Sequence, residues 1–208
     1  MNVILYDYWR SSAAYRVRIA LNLKGIAYQA RPVNLVESEQ RGAAHLARNP
    51  QGLVPTLDAD GVVLTQSLAI IDWLDSVQPE PRLIPAEPVA RARAWARALL
   101  IACDIHPIDN LRVLKRLEAQ FGADQAAKDD WYRHWLREGL DALEAMAGDG
   151  PFLGGGAPDI SDVCLVPQLY NARRFDLPLD AWPRLCRADA AAAELDAFAA
   201  AHPDRVKP

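Results

Sequence analysis

The sequence predicts a two-domain protein in which a small α/β domain is followed by an all-helical domain. Within residues 1–80, short apolar runs typical of buried strands alternate with apolar residues at helical spacing. From residue 88 to residue 208 only the helical spacing recurs. Four prolines fall within residues 78–88, where they forbid a continuous helix. We therefore expect a linker over residues 81–87.

The first domain is predicted to follow the order β-α-β-α-β-β-α. Its first helix has the clearest pattern, because Val17, Ala20 and Leu21 lie at helical spacing ahead of a stop signal at Gly25. The last helix begins at Ser67, which is the expected N-cap. The predicted strands cover 3–6, 27–33, 54–57 and 62–65, and the first two helices cover 13–24 and 37–48.

The second domain is predicted to contain long helices. Residues 89–120 carry apolar side chains at three- and four-residue spacing and are expected to form one long helix, and residues 124–147 a second. A third helix is expected to begin at Asp159, because Asp159 and Asp162 have the spacing of a capping box in acidic form. The alanine-rich run 188–201 is expected to be the packed final helix.

Charge and hydropathy exclude two classes of partner. The formal net charge of −4 argues against nucleic-acid binding, which needs a basic surface. No apolar run approaches the roughly 20 residues of a membrane span, and residues 1–10 lack the pattern of a signal peptide. We therefore expect a cytoplasmic globular protein with no nucleic-acid partner and no membrane partner.

The cysteines and histidines show no metal-binding or disulfide pattern. The three cysteines are far apart, and we expect them to be buried thiols in a reducing compartment. The histidines at 45, 134 and 202 are scattered, and we expect them to be exposed and to bind no metal.

The corner at Ser11, where the first predicted strand passes into the first helix, could activate a thiol. Backbone N–H groups at a helix N-terminus are unpaired and carry partial positive charge, so they stabilise a thiolate placed there. A serine hydroxyl could donate a hydrogen bond to the same sulfur and so help to lower the pKa of the thiol. The alternative is that Ser11 or Ser12 only caps the helix, and spacing alone favours it.

Two further features could hold a small peptide. Pro55 stands just ahead of an apolar strand, where a proline marks either a sheet edge or a cis bond. A cis bond after Val54 would leave backbone groups ready to pair with a peptide-like ligand as an added strand. Gln66 and Ser67 begin a helix, and a helix N-terminus can bind a carboxylate, although a plain cap is the simpler interpretation.

Together these features resemble the glutathione transferases, and the resemblance covers almost the whole chain. It is most specific at residues 10–21, RSSAAYRVRIAL, which are similar to the Ser-Ser-Cys-x-x-Arg-Val-Arg-Ile-Ala-Leu signature of the zeta class. Further matches lie at 49–56, 66–71, 110–115 and 162–168. The resemblance implies a thioredoxin-like N-terminal domain, an all-α C-terminal domain, glutathione as the cofactor and a homodimer.

The family's functional residues map onto this sequence position by position. The resemblance implies that Ser11 hydrogen-bonds the glutathione sulfur and that Ser12 and Arg16 line the same pocket. It also implies that the backbone of Val54 pairs with the cysteinyl part of the cofactor. The other implied glutathione contacts are Gln66 and Ser67 at the γ-glutamyl group, Gln40 at the glycyl end, and His106 and Asn110 on a helical face that reaches the ligand.

One position departs from the signature and sharpens the implied chemistry. Ala13 replaces the signature's Cys, so the attacking sulfur must belong to glutathione if the family assignment holds. The implied reaction is the cis–trans isomerisation of a small dianion, in which a thiolate adds to the double bond, the bond rotates and the thiolate leaves. Guanidinium groups match carboxylates, so Arg10, Arg112 and Arg174 are expected to bind those of the substrate. The expected catalytic residues are Ser11, Ser12, Arg10 and Arg174.

Several functions stay open at this point. The leading interpretation is isomerisation of maleylacetoacetate in tyrosine and phenylalanine breakdown. The closest alternative is the same chemistry on maleylpyruvate, which His106 and Arg112 favour because they differ from the residues of animal relatives. A general glutathione transferase or dehalogenase would use the same thiolate. The intact Ser11, Gln66 and Ser67 argue against a non-catalytic binding protein of this fold.

Overall fold

The computed structural model describes residues 1–207, which divide into two compact units. The first unit consists of Met1–Leu83 together with the C-terminal residues from Ala193 onward, and the second unit is Ile84–Ala192. The first stretch therefore ends inside the predicted linker. The residues after Ala192, which the sequence pattern assigned to the helical domain, group with the first unit instead.

Strands and helices alternate in Met1–Leu83, whereas the elements described in the second unit are helical. This order confirms the predicted fold class. A 3-10 turn at Glu39–Arg41 and a π-helical segment at Leu100–Ile105 lie between the regular elements. In chain order, the regular elements are β1 (Val3–Asp7), α1 (Ser12–Leu23), β2 (Gln29–Pro32), α2 (Ala43–Leu46), β3 (Thr56–Ala59), β4 (Val62–Thr65), α3 (Ser67–Val77), α4 (Pro88–Leu99), α5 (Leu111–Phe121), α6 (Gln125–Met146), α7 (Ile160–Arg174), α8 (Pro183–Ala193), α9 (Asp196–Ala201) and α10 (Pro203–Val206).

The sheet of the first unit has four strands in the order β2-β1-β3-β4. β1 runs parallel to β2 and antiparallel to β3, and β3 pairs with β4 in an antiparallel hairpin. Leu5 of β1 lies between Ala30 and Leu57 in register, and both leucines are fully buried. β1 alternates buried and half-buried residues, as expected of a central strand with one face on the core.

α1 is anchored to the first unit by apolar packing and by a buried ion pair. Val17 and Leu21 belong to its core, and both side chains are 0% exposed. Arg18 places Nη1 at 2.9 and 2.7 Å from the two carboxylate oxygens of Asp7. Its Nε donates to the carbonyl of Ala201 in α9, and this bond helps to explain why the C-terminal residues group with the first unit.

The second unit contains the predicted capping box. The carboxylate of Asp159 accepts the N–H of Ser161 at 2.7 Å, and that of Asp162 accepts the N–H of Asp159 at 2.9 Å. The other oxygen of Asp162 accepts the N–H of Leu153, and Arg97 contacts Asp159 at 3.2 Å. α7 therefore begins where the sequence predicts, and its N-terminus is fixed by satisfied buried groups.

The expected long helix over 89–120 is wrong, because the chain forms α4, the π-helical segment and α5. Pro107 lacks an amide donor, and the side chain of Asn110 accepts the N–H of Arg112 and so caps a new helix. The expected final helix over 188–201 is also wrong. It is divided at Leu195, whose extended backbone (φ −92°, ψ 123°) separates α8 from α9.

Two expectations in the first unit are corrected as well. Residues 37–48 form a 3-10 turn and the short α2, separated at Gly42 by an extended backbone (φ −67°, ψ 149°). Ser67 is the first residue of α3 and its N-cap is Gln66, so the expected cap position is shifted by one residue.

The histidines and cysteines for which the sequence predicts no functional role differ in their exposure. His45 is 5% exposed, so the expectation that it is exposed is wrong, and its Nε2 lies 2.8 Å from the carbonyl oxygen of Leu53. Cys103 is exposed and Cys164 is buried, so the expectation of buried thiols holds for only one of these two. None of the helices described for residues 1–207 is both long and apolar enough to cross a membrane.

Candidate active site

Ser11 is the N-cap of α1. Its backbone is extended (φ −69°, ψ 119°), and its Oγ accepts the N–H of Ala14 at 3.2 Å. Its own N–H donates to the carbonyl of Tyr8 at 2.8 Å, which fixes the turn between β1 and α1. The half-buried hydroxyl therefore sits at the positive end of a 12-residue helix.

Capping leaves the Ser11 hydroxyl able to act on a ligand. A hydroxyl has one O–H donor and two acceptor lone pairs, and the cap uses one lone pair. The O–H remains available to a sulfur or oxygen anion in front of the helix. The capping interpretation and the thiol-activating interpretation of Ser11 are thus compatible.

Arg10 lies beside this corner and is stacked on aromatic rings. Its guanidinium carbon lies 4.8 Å from the centre of the Trp9 ring, and Nη2 donates to the Tyr8 hydroxyl at 3.2 Å. Lys207 approaches Trp9 from the C-terminal segment, with Nζ 5.3 Å from a ring centre. These contacts restrain Arg10 next to Ser11 and add positive charge to this end of α1.

Ser12 and Arg16 lie deeper than Ser11. Ser12 is 5% exposed and Arg16 is 1% exposed. Nη1 of Arg16 donates to Oγ of Ser67 at 3.4 Å, a bond that links α1 to the first residue of α3. The predicted site residues of these two helices are thus brought together.

The loop before β3 presents the backbone of Val54. The Val54–Pro55 bond is cis. The Leu53 carbonyl is held by Nδ2 of Asn49 at 2.9 Å as well as by His45. Within residues 1–207 the N–H and C=O of Val54 have no hydrogen-bond partner. An extended peptide could therefore pair with both groups.

Gln40 reaches the same loop through a close backbone approach at Gly52. A Cβ built on Gly52 would lie 2.9 Å from the carbonyl oxygen of Gln40, and Gly52 has a φ of +61°. Both facts require glycine at position 52. The half-buried side chain of Gln40 has its Oε1 unpaired among the described residues.

Gln66 adopts a conformation that is rare for a residue with a side chain. Its φ is +68° and ψ is 114°, which costs about 1–3 kcal/mol for a non-glycine residue. Its Nε2 donates to Oε1 of Gln51 at 2.6 Å, beside the Val54 loop. Residues in such conformations persist only where the surrounding structure holds them in place, and they cluster at ligand sites.

Three of the sequence-predicted residues of the second unit lie between the π-helical segment and the first turn of α5. Asn110 caps α5 and is half-buried, Arg112 is exposed in the first turn of α5, and His106 is half-buried just after the π-helical segment. Nε1 of Trp131 donates to the carbonyl of Ile108 at 3.0 Å and so fixes the connection between these residues.

Arg174 ends α7 and is held by its own helix. Nη1 donates to Oδ1 of Asn171 at 3.0 Å, and the guanidinium carbon lies 5.8 Å from the centre of the Phe175 ring. Arg173 is engaged elsewhere, in an ion pair with Asp189 at 2.5 Å. Of the two adjacent arginines, Arg174 is the one whose charge has no carboxylate within 4 Å among residues 1–207.

Asp109 is a buried polar group that sequence reasoning missed. It is 3% exposed, and both carboxyl oxygens have no partner among the described residues. Burial raises the pKa of Asp109 from 3.8 to about 8, so the group is neutral at pH 7. Burial is the larger cause that raises the pKa of the neighbouring Tyr132, and Asp109 adds to it at the high pH where its carboxyl is ionised. The Tyr132 ring stacks on Phe175 at 3.6 Å. The sequence pattern that could have pointed to Asp109 is its position between two predicted site residues, His106 and Asn110.

Comparison with known proteins identifies the family. The family model of the glutathione S-transferase N-terminal domain matches residues 10–77, and the family model of the C-terminal domain matches residues 111–200. The chain belongs to the glutathione S-transferase family. The family resemblance drawn from residues 10–21 is thereby confirmed.

Its relatives match over nearly their full lengths. The chain is 52% identical to maleylacetoacetate isomerase of Rhizobium meliloti, covering 99% of this chain and 98% of that protein. It is 46% identical to maleylpyruvate isomerase of Ralstonia sp., covering 96% of each.

Two solved structures have the same fold as this chain. The holo structure of maleyl pyruvate isomerase, described as a bacterial zeta-class glutathione S-transferase, has a TM-score of 0.96, 45% identity and 98% coverage of both chains. Maleylacetoacetate isomerase of Anaeromyxobacter dehalogenans, solved with GSH bound in its active site, has a TM-score of 0.89 and 46% identity. That match covers 99% of this chain and 97% of the other.

Proposed function

We propose that this chain is a glutathione-dependent cis–trans isomerase that converts maleylacetoacetate to fumarylacetoacetate in tyrosine and phenylalanine breakdown. The observation that carries the proposal is the Ser11 corner. It offers a hydroxyl and a helix N-terminus but no protein thiol, because Ala13 stands where the family signature has Cys. The full-length similarity to zeta-class isomerases supports the same reaction.

The residues of the first unit fit glutathione as the cofactor. The N–H and C=O of Val54 lack partners within residues 1–207 and suit the backbone of a cysteinyl residue. Ser67 and the strained Gln66 begin α3 and suit the γ-glutamyl group, while Oε1 of Gln40 is an unpaired acceptor for the glycyl end. When bound, glutathione supplies the thiolate that isomerisation requires.

Ser11 is proposed to hold the sulfur in its ionised form. Its O–H donates to the thiolate, and the first-turn N–H groups of α1 add positive potential. Ser12 is proposed to support this turn from its buried position. His106 and Asn110 are proposed as further cofactor contacts on the strength of the family resemblance alone.

Arg10, Arg112 and Arg174 are proposed to bind the carboxylates of the substrate. A guanidinium pairs bidentately with a carboxylate and also stabilises negative charge that develops next to it during the reaction. Arg174 supports this assignment best, because it is held by Asn171 and not by a carboxylate. Arg10 is restrained by the Trp9 ring and by the bond from Nη2 to the Tyr8 hydroxyl, and the other N–H donors of its guanidinium can bind an anion.

Maleylpyruvate isomerase is the second candidate. The family resemblance favours it at His106 and Arg112, and the holo structure of a maleyl pyruvate isomerase matches this fold with a TM-score of 0.96. Both substrates are dianions in which a cis double bond lies between a carbonyl and one of the two carboxylates, so the same side chains would serve either.

The test is a comparison of kcat/KM for maleylacetoacetate and maleylpyruvate at saturating glutathione. We expect maleylacetoacetate to be preferred by at least about tenfold, which corresponds to about 1.4 kcal/mol. The reverse preference would assign the second candidate. Turnover of neither substrate, alongside conjugation of glutathione to general electrophiles, would overturn the isomerase proposal.

We also propose that the enzyme is a cytoplasmic homodimer. The exposed apolar side chains of Val62 and Val63 on the edge strand β4 support a partner on this strand, because such an edge is normally covered. The unpaired and exposed thiol of Cys103 supports a reducing compartment. Sedimentation equilibrium should give about twice the chain mass of 23.0 kDa, and a monomer would contradict the dimer.

A further inference from the structure

α1 contains two buried arginines whose surroundings differ completely. Arg16 and Arg18 are each 1% exposed. Arg18 is neutralised by Asp7 and also donates to the carbonyls of Trp9 and Ala201. Arg16 has no carboxylate within 4 Å among residues 1–207, and its Nε and Nη2 have no hydrogen-bond partner there.

The positive charge of Arg16 cannot be relieved within the described part of the chain. An arginine side chain is not deprotonated in proteins, so it stays charged when buried. A buried charge without a partner costs several kcal/mol, and the usual reason to keep one is a role outside stability. We therefore expect the folded protein to be more stable with an apolar side chain of similar length at position 16.

The one hydrogen bond described for Arg16 within residues 1–207 points to the start of α3. Nη1 donates to Oγ of Ser67 at 3.4 Å, and Ser67 is the first residue of this 11-residue helix. The donated bond occupies a lone pair of Oγ, so the Ser67 O–H is directed to another acceptor. The helix N-terminus and the buried cation give that place positive potential from two sources.

We propose that Arg16 is a positioning residue, which orients Ser67 and supplies the buried positive charge for binding the γ-glutamyl carboxylate of glutathione at the N-terminus of α3. This inference rests on the proposed function. It revises the expectation that Arg16 lines the pocket, because a side chain that is 1% exposed acts on the cofactor through Ser67.

The test compares two thiols that differ in the γ-glutamyl group. Glutathione carries this group, and cysteinylglycine lacks it. In Arg16→Met, kcat/KM for glutathione should fall about 10- to 100-fold, as for loss of a charge-assisted hydrogen bond, and kcat at saturating glutathione should change little. For cysteinylglycine, wild type and Arg16→Met should agree within about twofold, because the lost interaction was absent already.

Arg18→Met is the matched control, since it removes an equally buried arginine from the same helix. It leaves Asp7 unpaired and should lower the Tm, whereas Arg16→Met should raise the Tm by about 2–8 °C in the absence of thiols. Arg18→Met should leave the ratio of the two kcat/KM values unchanged. Arg16→Gln, which keeps a donor and removes the charge, repeats the measurement if Arg16→Met does not fold.

The outcomes separate this inference from the proposed function. Equal losses for both thiols in the Arg16 variant, or no loss for either, would overturn the role of Arg16 and leave the isomerase proposal standing. A wild-type chain whose isomerase activity does not depend on glutathione would overturn both. A loss confined to glutathione supports both.

Discussion

Replacing Asp109 by Asn should make the stability of this protein less dependent on pH. The carboxyl is 3% exposed and neither oxygen has a partner among the described residues, so its ionisation in the folded state is unfavourable. Burial raises its pKa from 3.8 to about 8. Asn has almost the same size and shape as Asp and remains neutral at every pH.

The magnitude follows from proton linkage. Between the unfolded pKa of 3.8 and the folded pKa of about 8, Asp109 is more protonated in the folded state than in the unfolded state. Because the folded state then binds more protons, the free energy of unfolding falls as pH rises, by about 1.4 kcal/mol per pH unit from this group. Over this window the cost accumulates to at most about 6 kcal/mol, and it is complete above pH 8.

The variant has a cost of its own. The amide group that Asp109→Asn introduces would be buried and would also need partners, and leaving them unsatisfied costs about 1–3 kcal/mol. We therefore expect Asp109→Asn to match the wild type within about 1 kcal/mol near pH 5 and to exceed it by about 2–4 kcal/mol at pH 8.5.

Urea denaturation of both proteins at pH values from 5 to 9 measures this difference. Asp130→Asn is the matched control, because it changes the same charge on an exposed side chain and should alter the free energy of unfolding by less than about 0.5 kcal/mol throughout. Wild-type and Asp109→Asn curves that stay parallel from pH 5 to 9 would refute the assignment of a buried, neutral carboxyl.

Three further substitutions test the site and its support. Ser11→Ala should lower kcat/KM for glutathione about 10- to 100-fold by removing the donor to sulfur, and should cost about 1 kcal/mol of stability by removing the cap, measured by kinetics and urea melts. Arg174→Ala should lower kcat/KM for the dianionic substrate about 30-fold or more, while the already paired Arg173→Ala stays within about twofold; an unchanged value for Arg174→Ala removes that residue from the site. Gly139→Ala should destabilise the protein by about 1–3 kcal/mol in the same melts, because the added Cβ would overlap Ile105, and an unaltered midpoint would contradict that packing.

Local chemistry made much of the fold predictable. Alternation of strand and helix signals, the capping box at Asp159 and the proline-rich stretch depend on residues close together in the chain. The Ser11 corner could be predicted in the same way, since a cap is a local feature. Its thiol chemistry could be inferred only from the combination with the Val54 and Ser67 features.

Features that depend on competing local signals, or on contacts that form only in the folded chain, could not be predicted in this way. The periodicity of 89–120 is continuous, and its interruption depends on Pro107 and on the Asn110 cap outweighing that pattern. His45 gave no signal of burial, because its partner is the backbone of Leu53 in a separate loop. The unpaired guanidinium of Arg16 and the unpaired carboxyl of Asp109 can be identified only from the positions of the neighbouring side chains in the folded chain.

The most direct test of the central claim is the rate of maleylacetoacetate isomerisation by the purified wild-type chain at increasing glutathione concentration, starting from none. The proposed function predicts no turnover above background without glutathione and a saturable rise with it, since Ala13 leaves the signature position without a thiol. A rate that is already maximal without glutathione would contradict the claim that the cofactor supplies the sulfur.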